Sequence, residues 1–170
     1  VTLAGNSLVL NQATIDCSST LVLNLTNSLS DNGATSSNNI TVGDGFIQVT
    51  KPTTGDLLGT TLETIAPNFA LVTHYWAGRD DGVNNSGYSN NTALGKLVLT
   101  PVGNDQLFEF AGTGTANGLY VDRLDLSQLS DYTNQIQIDS NLKIYYAAAS
   151  LAASALPTNG MSAEAFLDGK

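Results

Sequence analysis

Between residues 95 and 126 apolar side chains recur mostly at a spacing of two: Leu97 and Leu99, then Leu107, Phe108 and Phe110, then Leu119, Val121, Leu124 and Leu126. That is the period of a strand with one buried face. The charged residues of the stretch (Lys96, Asp105, Glu109, Asp122, Arg123 and Asp125) interleave with the apolar ones instead of converging as a site would. Similar alternation, bounded by clusters of Gly, Asn, Asp, Ser or Pro, predicts eleven strands, at residues 7–10, 20–25, 39–42, 46–49, 61–65, 70–76, 96–100, 107–111, 119–126, 135–138 and 142–147.

Short strands at such spacing build a sandwich or barrel, or a solenoid in which each coil stacks on the last. The strands are short, and Asn and Gly recur where coils would turn, which favours the solenoid. Against it, a fixed period of about 20 to 25 residues holds only in parts of the chain. The strands from Gly95 onward also read as a meander. The expected fold is all-β, with a β-solenoid (β-helix) placed ahead of an antiparallel β-sandwich or jelly roll. Residues 1–150 form a single β-rich domain in this reading, and residues 151–170 an Ala-rich peripheral tail with a weak helix at 162–167, capped by Ser162.

Composition moves the reading outside the cell. Only 12% of the 170 residues are charged, about half the usual share, and 19 Thr, 17 Asn and 15 Ser do most of the solvating. Such a surface is common in secreted, β-rich bacterial proteins. A net charge of −9, with only six Lys and Arg, argues against nucleic acid or an anionic membrane as partner. No apolar run approaches the ~18 residues of a membrane-spanning helix, so membrane insertion is not expected. The chain starts at Val1 without Met, which reads as a processed form or an excised fragment from which any export signal would already be gone. Cys17 is the single cysteine, either a small buried hydrophobe or a link between chains.

Residues 79–91 (RDDGVNNSGYSNN) form a polar stretch of 13 residues, too long for an ordinary hairpin. Asp80, Asp81 and Asn84 nominate it as a Ca²⁺ site, because carboxylates, amides and backbone carbonyls supply the oxygens this ion takes. The spacing matches neither the EF-hand nor the glycine-rich nonapeptide, and turn chemistry alone explains most of the composition. A solvated acidic surface without any cofactor is the plainer account. For ligand binding the candidates are His74, Trp76, Tyr88, Asn90 and Asn91, since aromatic rings beside amides suit a glycan. Strand alternation offers core packing instead, with Val72, His74 and Trp76 on one face and Leu71, Thr73 and Tyr75 on the other.

Catalysis has little to stand on. His74 is the only histidine, and no Gly-x-Ser-x-Gly elbow or Cys–His arrangement exists. Asp80 and Asp81 are adjacent, and on one strand they would point to opposite faces, cooperating as acid and base only through a bent loop.

Several short segments in order carry a resemblance: 55–63 (GDLLGTTLE), 75–82 (YWAGRDDG), 87–91 (GYSNN) with 93–97 (ALGKL), 108–112 (FEFAG), 119–126 (LYVDRLDL) and 138–146 (IDSNLKIYY). Over residues 40–150 the chain resembles a module near the C-terminal end of very large, repeat-rich bacterial surface proteins, the filamentous-haemagglutinin and autotransporter-like adhesins. The resemblance implies an exported, solenoid-bearing, adhesin-like or matrix-forming parent, and it carries over no catalytic or ligand residue. The functional expectation is a secreted or cell-surface structural and adhesive module, not an enzyme, that builds a surface layer, filament or adhesin stalk. Identical subunits or other surface polymers are its expected partners. A carbohydrate-binding module using residues 76–91 is the alternative, and a polysaccharide-active β-helix enzyme a weaker one.

Overall fold

In a computed structural model, residues 1–31, 37–67, 70–103 and 106–152 are described. The apolar alternation becomes twelve strands: β1 (Thr2–Leu10), β2 (Thr14–Cys17), β3 (Thr20–Asp31), β4 (Asn38–Val42), β5 (Gly45–Gln48), β6 (Leu57–Ala66), β7 (Leu71–Trp76), β8 (Leu94–Pro101), β9 (Leu107–Gly112), β10 (Asn117–Leu126), β11 (Ile136–Ile138) and β12 (Leu142–Leu151). A 3-10 turn spans Asn85–Tyr88 and a one-turn helix, α1, Tyr132–Gln135. Strand β2 was not expected, and its four residues are too few to show alternation above the polar background. Residue 70 precedes β7, and Gln135 ends α1 instead of opening a strand. The tail helix expected at 162–167 lies outside the described residues.

Successive strands never pair with one another. The odd strands form one six-stranded sheet in the order β1-β3-β5-β7-β9-β11, and the even strands form a second in the order β12-β10-β8-β6-β4-β2. Every pairing within them is parallel. This overturns the antiparallel sandwich or jelly roll and the meander after Gly95: β8 lies beside β6 and β10, while β9 lies beside β7 and β11 in the other sheet. In and out alternate in the same way in a parallel and an antiparallel strand, so the pattern alone does not separate them.

The lack of a fixed period also has a physical cause. Thr2 lies beside Val22 and Thr20 beside Gly45, but Leu71 lies beside Leu107, so the step grows from 20 residues to 36. The long step contains the segment 77–93, inserted between β7 and β8.

One core lies between the sheets. Leu21, Leu23, Phe46, Val72, Trp76, Phe108 and Phe110 reach it from one side, and Ile40, Val42, Leu62, Leu97, Leu99, Leu119 and Val121 from the other. Burying each such side chain contributes roughly 1.5–3 kcal/mol. In β10 the exposed pair Asp122 and Arg123 resets the phase, so that Leu124 and Leu126 turn inward after Val121. The uncharged polar residues bond across neighbouring strands: Thr26 Oγ1 donates to Asn6 Oδ1 (3.3 Å), Asn27 Nδ2 to Ser7 Oγ (3.4 Å) and Thr73 Oγ1 to Glu109 Oε2 (3.1 Å). At Gly45 the backbone has φ +136°, and a Cβ there would lie 2.1 Å from the Thr73 carbonyl oxygen, so only glycine lets β5 start beside β7. Among the described residues no helix is long and apolar enough to cross a membrane.

Candidate functional site: the inserted segment and its aromatic groove

Segment 77–93 has almost nothing apolar to bury, so polar side chains within it and beside it hold it down. The Asp56 carboxylate accepts the backbone N–H groups of Asn90 (2.7 Å), Asn91 (2.9 Å) and Ala93 (3.0 Å). Gln48, buried at the end of β5, donates through Nε2 to Thr92 Oγ1 (2.9 Å) and accepts from Ala77 N through Oε1 (3.1 Å). Asn91 is fully buried, and its amide brackets Arg79, accepting from the backbone N (2.6 Å) and donating to the backbone O (3.0 Å). The Asn90 side chain accepts from Gly55 N (2.9 Å), while its backbone carbonyl takes Lys51 Nζ and Arg79 Nη1, each at 3.1 Å. Asn90 has φ +51°, a left-handed conformation that Asn tolerates. Of these two nominated ligand contacts, Asn90 thus ties the segment to Gly55 and Lys51, and the Asn91 side chain closes the segment on itself at Arg79.

His74 and Trp76 lie in the core. Phe46 N–H donates to His74 Nδ1 (3.2 Å), which leaves the ring proton on Nε2 to be donated to Thr64 Oγ1 (2.9 Å). Burial pushes the imidazole down to about 4, against a smaller upward pull from the Thr73 backbone. Trp76 stacks on Phe46 with ring centres 5.1 Å apart. Of the five nominated ligand residues, Tyr88 lines a groove.

The three residues nominated for calcium are each engaged elsewhere. Asp80 Oδ1 accepts from Tyr145 Oη (2.6 Å) and Gly82 N (3.1 Å), and Oδ2 pairs with Lys143 Nζ (2.8 Å). Those hydrogen bonds, from Lys143 first and then Tyr145, hold its carboxyl down at about 2. Asp81 receives the Arg79 guanidinium in a two-pronged pair (3.3 and 3.0 Å), which also lowers its pKa. Asn84 Oδ1 caps the 3-10 turn by accepting from Ser86 N (3.1 Å). Asp80 and Asp81 therefore turn to different partners. Among the described residues no group of three or more His, Cys, Asp or Glu converges as a metal site.

What the segment does build is aromatic. Tyr120 sits on the outward phase of β10, between inward Leu119 and Val121, yet only 1% of it is exposed because segment 77–93 lies over it. Its hydroxyl accepts from Asp81 N and donates to Gly82 O, both at 2.8 Å, and burial raises its pKa to about 12. Tyr145 of β12 stacks on Tyr120 at 4.7 Å and 18°, and Tyr88 of the 3-10 turn meets Tyr120 edge to face at 5.4 Å and 73°. Tyr88 donates its hydroxyl to Val121 O (3.1 Å). Between the 3-10 turn and β12 lies a groove of about 680 Å³, lined by Val83, Asn84, Asn85, Tyr88, Tyr120 and Tyr145 together with Ile144, Tyr146 and Ala147. That volume is within the range of small-ligand sites.

Tyr120 and Tyr145 escaped the sequence reading because they are 25 residues apart and meet only through the parallel register that sets Tyr120 beside Tyr145. The unbroken apolar run Leu119-Tyr120-Val121 was the available signal that something covers the outer face. The chain was compared with models of known protein families, with curated proteins and with solved structures, and it matches none of them.

Proposed function

We propose that the chain is a β-solenoid module of an exported bacterial surface protein, of the filamentous-haemagglutinin and autotransporter-like kind, acting as a structural and adhesive element and not as an enzyme. The observation that carries this reading is the next-but-one parallel pairing of all twelve strands around one core. Such pairing makes a rigid rod from backbone hydrogen bonds and apolar stacking, with each coil contacting chiefly its neighbours. A surface dressed in Thr, Asn and Ser with a net charge of −9 supports a secreted or cell-surface setting. The binding of Asp80 by Lys143 and Tyr145, and of Asp81 by Arg79, supports a structural use of the carboxylates that an acid and base pair would need.

Association with identical subunits is the partner reading. It is supported by an apolar groove of about 490 Å³ among the last strands, lined by Leu99, Phe110, Leu124, Leu126, Ile136 and Ile144 among others. It is supported too by the long edge strands β1 and β12, whose backbones are templates for strand addition. Electron micrographs and light scattering of the protein at rising concentration, with and without calcium, test it. Filaments or end-to-end oligomers are the expected result. Monomers throughout would remove self-assembly, and cleavage of an acidic polysaccharide lost in Asp80→Asn would remove the non-enzymatic reading.

A further inference from the structure

We propose that the groove between the 3-10 turn and β12 binds a neutral saccharide chain, with Tyr88 and Tyr145 as stacking surfaces and Asn84 and Asn85 as the hydrogen-bonding rim. The site goes beyond the structural role and is independent of self-assembly, because a monomer has the whole groove.

Three features of the groove select this ligand class. First, its aromatic walls are fixed before anything binds. Tyr120 is buried and locked by two hydrogen bonds to the segment above it, Tyr145 is held by its stacking on Tyr120 and by its bond to Asp80, and Tyr88 by its contact with Tyr120 and its bond to Val121 O. Preorganised rings lose little conformational freedom on binding and offer flat surfaces to the C–H faces of a sugar ring.

Second, none of the lining side chains carries a charge at neutral pH. At its border Lys143 and Asp80 are paired with each other at 2.8 Å, and exposed Asp122 lies near enough to Tyr88 to raise its pKa. A sulfated or sialylated chain would need a basic group, which the lining lacks, and would be repelled by Asp122 beside Tyr88, whereas a neutral ligand meets neither obstacle.

Third, the hydroxyls of Tyr88, Tyr120 and Tyr145 are already donated inside the protein, so the polar contacts beside these rings come from the rim. Asn84 and Asn85 are exposed there, and a side-chain amide presents donors beside an acceptor, the combination that vicinal sugar hydroxyls match. A proline-rich peptide would also stack on such rings. It would, however, call on ring hydroxyls to bond its carbonyls, and those of Tyr88, Tyr120 and Tyr145 are spent.

The test is binding of the full chain to an array of neutral and acidic glycans, followed by calorimetry with the strongest neutral oligosaccharide. Tyr145→Ala and Asn85→Ala are each expected to weaken binding at least about ten-fold, while Tyr145→Phe, which keeps the ring and loses the bond to Asp80, stays within a few-fold of the parent. Tyr145→Ala disturbs the Asp80 contact, so Asn85→Ala, at an exposed position, supplies the variant whose fold is safe. Circular dichroism melting verifies both. The proposal is overturned if the folded parent binds no neutral glycan, binds only acidic ones, takes a proline-rich peptide in their place, or binds equally well in both alanine variants. Filaments that bind no glycan would sink this site and leave the structural reading standing, and glycan-binding monomers would do the reverse.

Discussion

Lowering the pH should destabilise the protein through one imidazole before the carboxylates are reached. His74 is 2% exposed, and both ring nitrogens are used: Nδ1 accepts from Phe46 N–H and Nε2–H faces Thr64 Oγ1. A second proton would have to sit on Nδ1, opposite the Phe46 N–H, placing two donors against each other in the core. The folded imidazole therefore protonates only at about 4, against 6.5 for a free side chain. Between those values the unfolded chain binds more protons than the folded one, so stability is complete above 6.5 and declines as the pH falls to 4. The difference corresponds to about 3 kcal/mol, a large part of the margin of an ordinary domain. Urea unfolding followed by the fluorescence of buried Trp76, at constant ionic strength between about pH 7 and pH 4.5, measures it. His74→Asn is the control. Asn keeps an acceptor for Phe46 N–H and does not titrate, so its stability is lower at neutral pH but lacks this slope. Equal slopes in the two proteins, or an NMR titration of His74 near 6.5, would refute the argument.

Asp80, held down at about 2, titrates in a separate and more acid window. Its contribution is complete above 3.8 and is lost as the pH falls toward 2, so Asp80→Asn should show a shallower acid limb than the parent in thermal melts across that range. Asp56→Ala removes the acceptor of three backbone N–H groups and should cost about 2 kcal/mol or more. Amide exchange at Asn90, Asn91 and Ala93 should then accelerate while that of Leu97 in β8 does not; unchanged exchange at the three would show that the carboxylate does not hold the segment. Gly45→Ala places a Cβ against the Thr73 carbonyl at a positive φ and should cost about 2–4 kcal/mol by urea titration. A variant as stable as the parent would refute the close approach of β5 and β7.

The strands were legible because one core between two sheets enforces the same in-and-out rule on most of them. Leu97, Leu99, Phe108, Phe110, Leu119 and Val121 all point where their spacing says. Partner choice was not legible, since Leu124 beside Leu97, two strands earlier in the chain, leaves no local trace in either strand. His74 interrupts an apolar face, and the sequence does not show that Phe46 N–H and Thr64 lie ready to satisfy it. The candidate site was hidden for a related reason. Its rings come from the 3-10 turn, β10 and β12, and only the parallel register sets Tyr145 beside Tyr120.

The insertion that spoils the period is also what creates the groove. An added segment at one corner need not disturb the core if its backbone finds partners outside the ladders, and Gln48 and Tyr120 supply them from the strands, Asp56 from just before β6, and Asn91 from within the segment. The cost falls on Tyr120, an outward tyrosine that must be roofed, and the roof brings Tyr88 against it while β12 brings Tyr145. Rigid strands that would otherwise present a plain wall of Thr and Asn thereby acquire one concave, aromatic and uncharged place. The proposed recognition belongs there because it is where the chain departs from its repeating pattern while the rings of Tyr120 and Tyr145 stay fixed on β10 and β12.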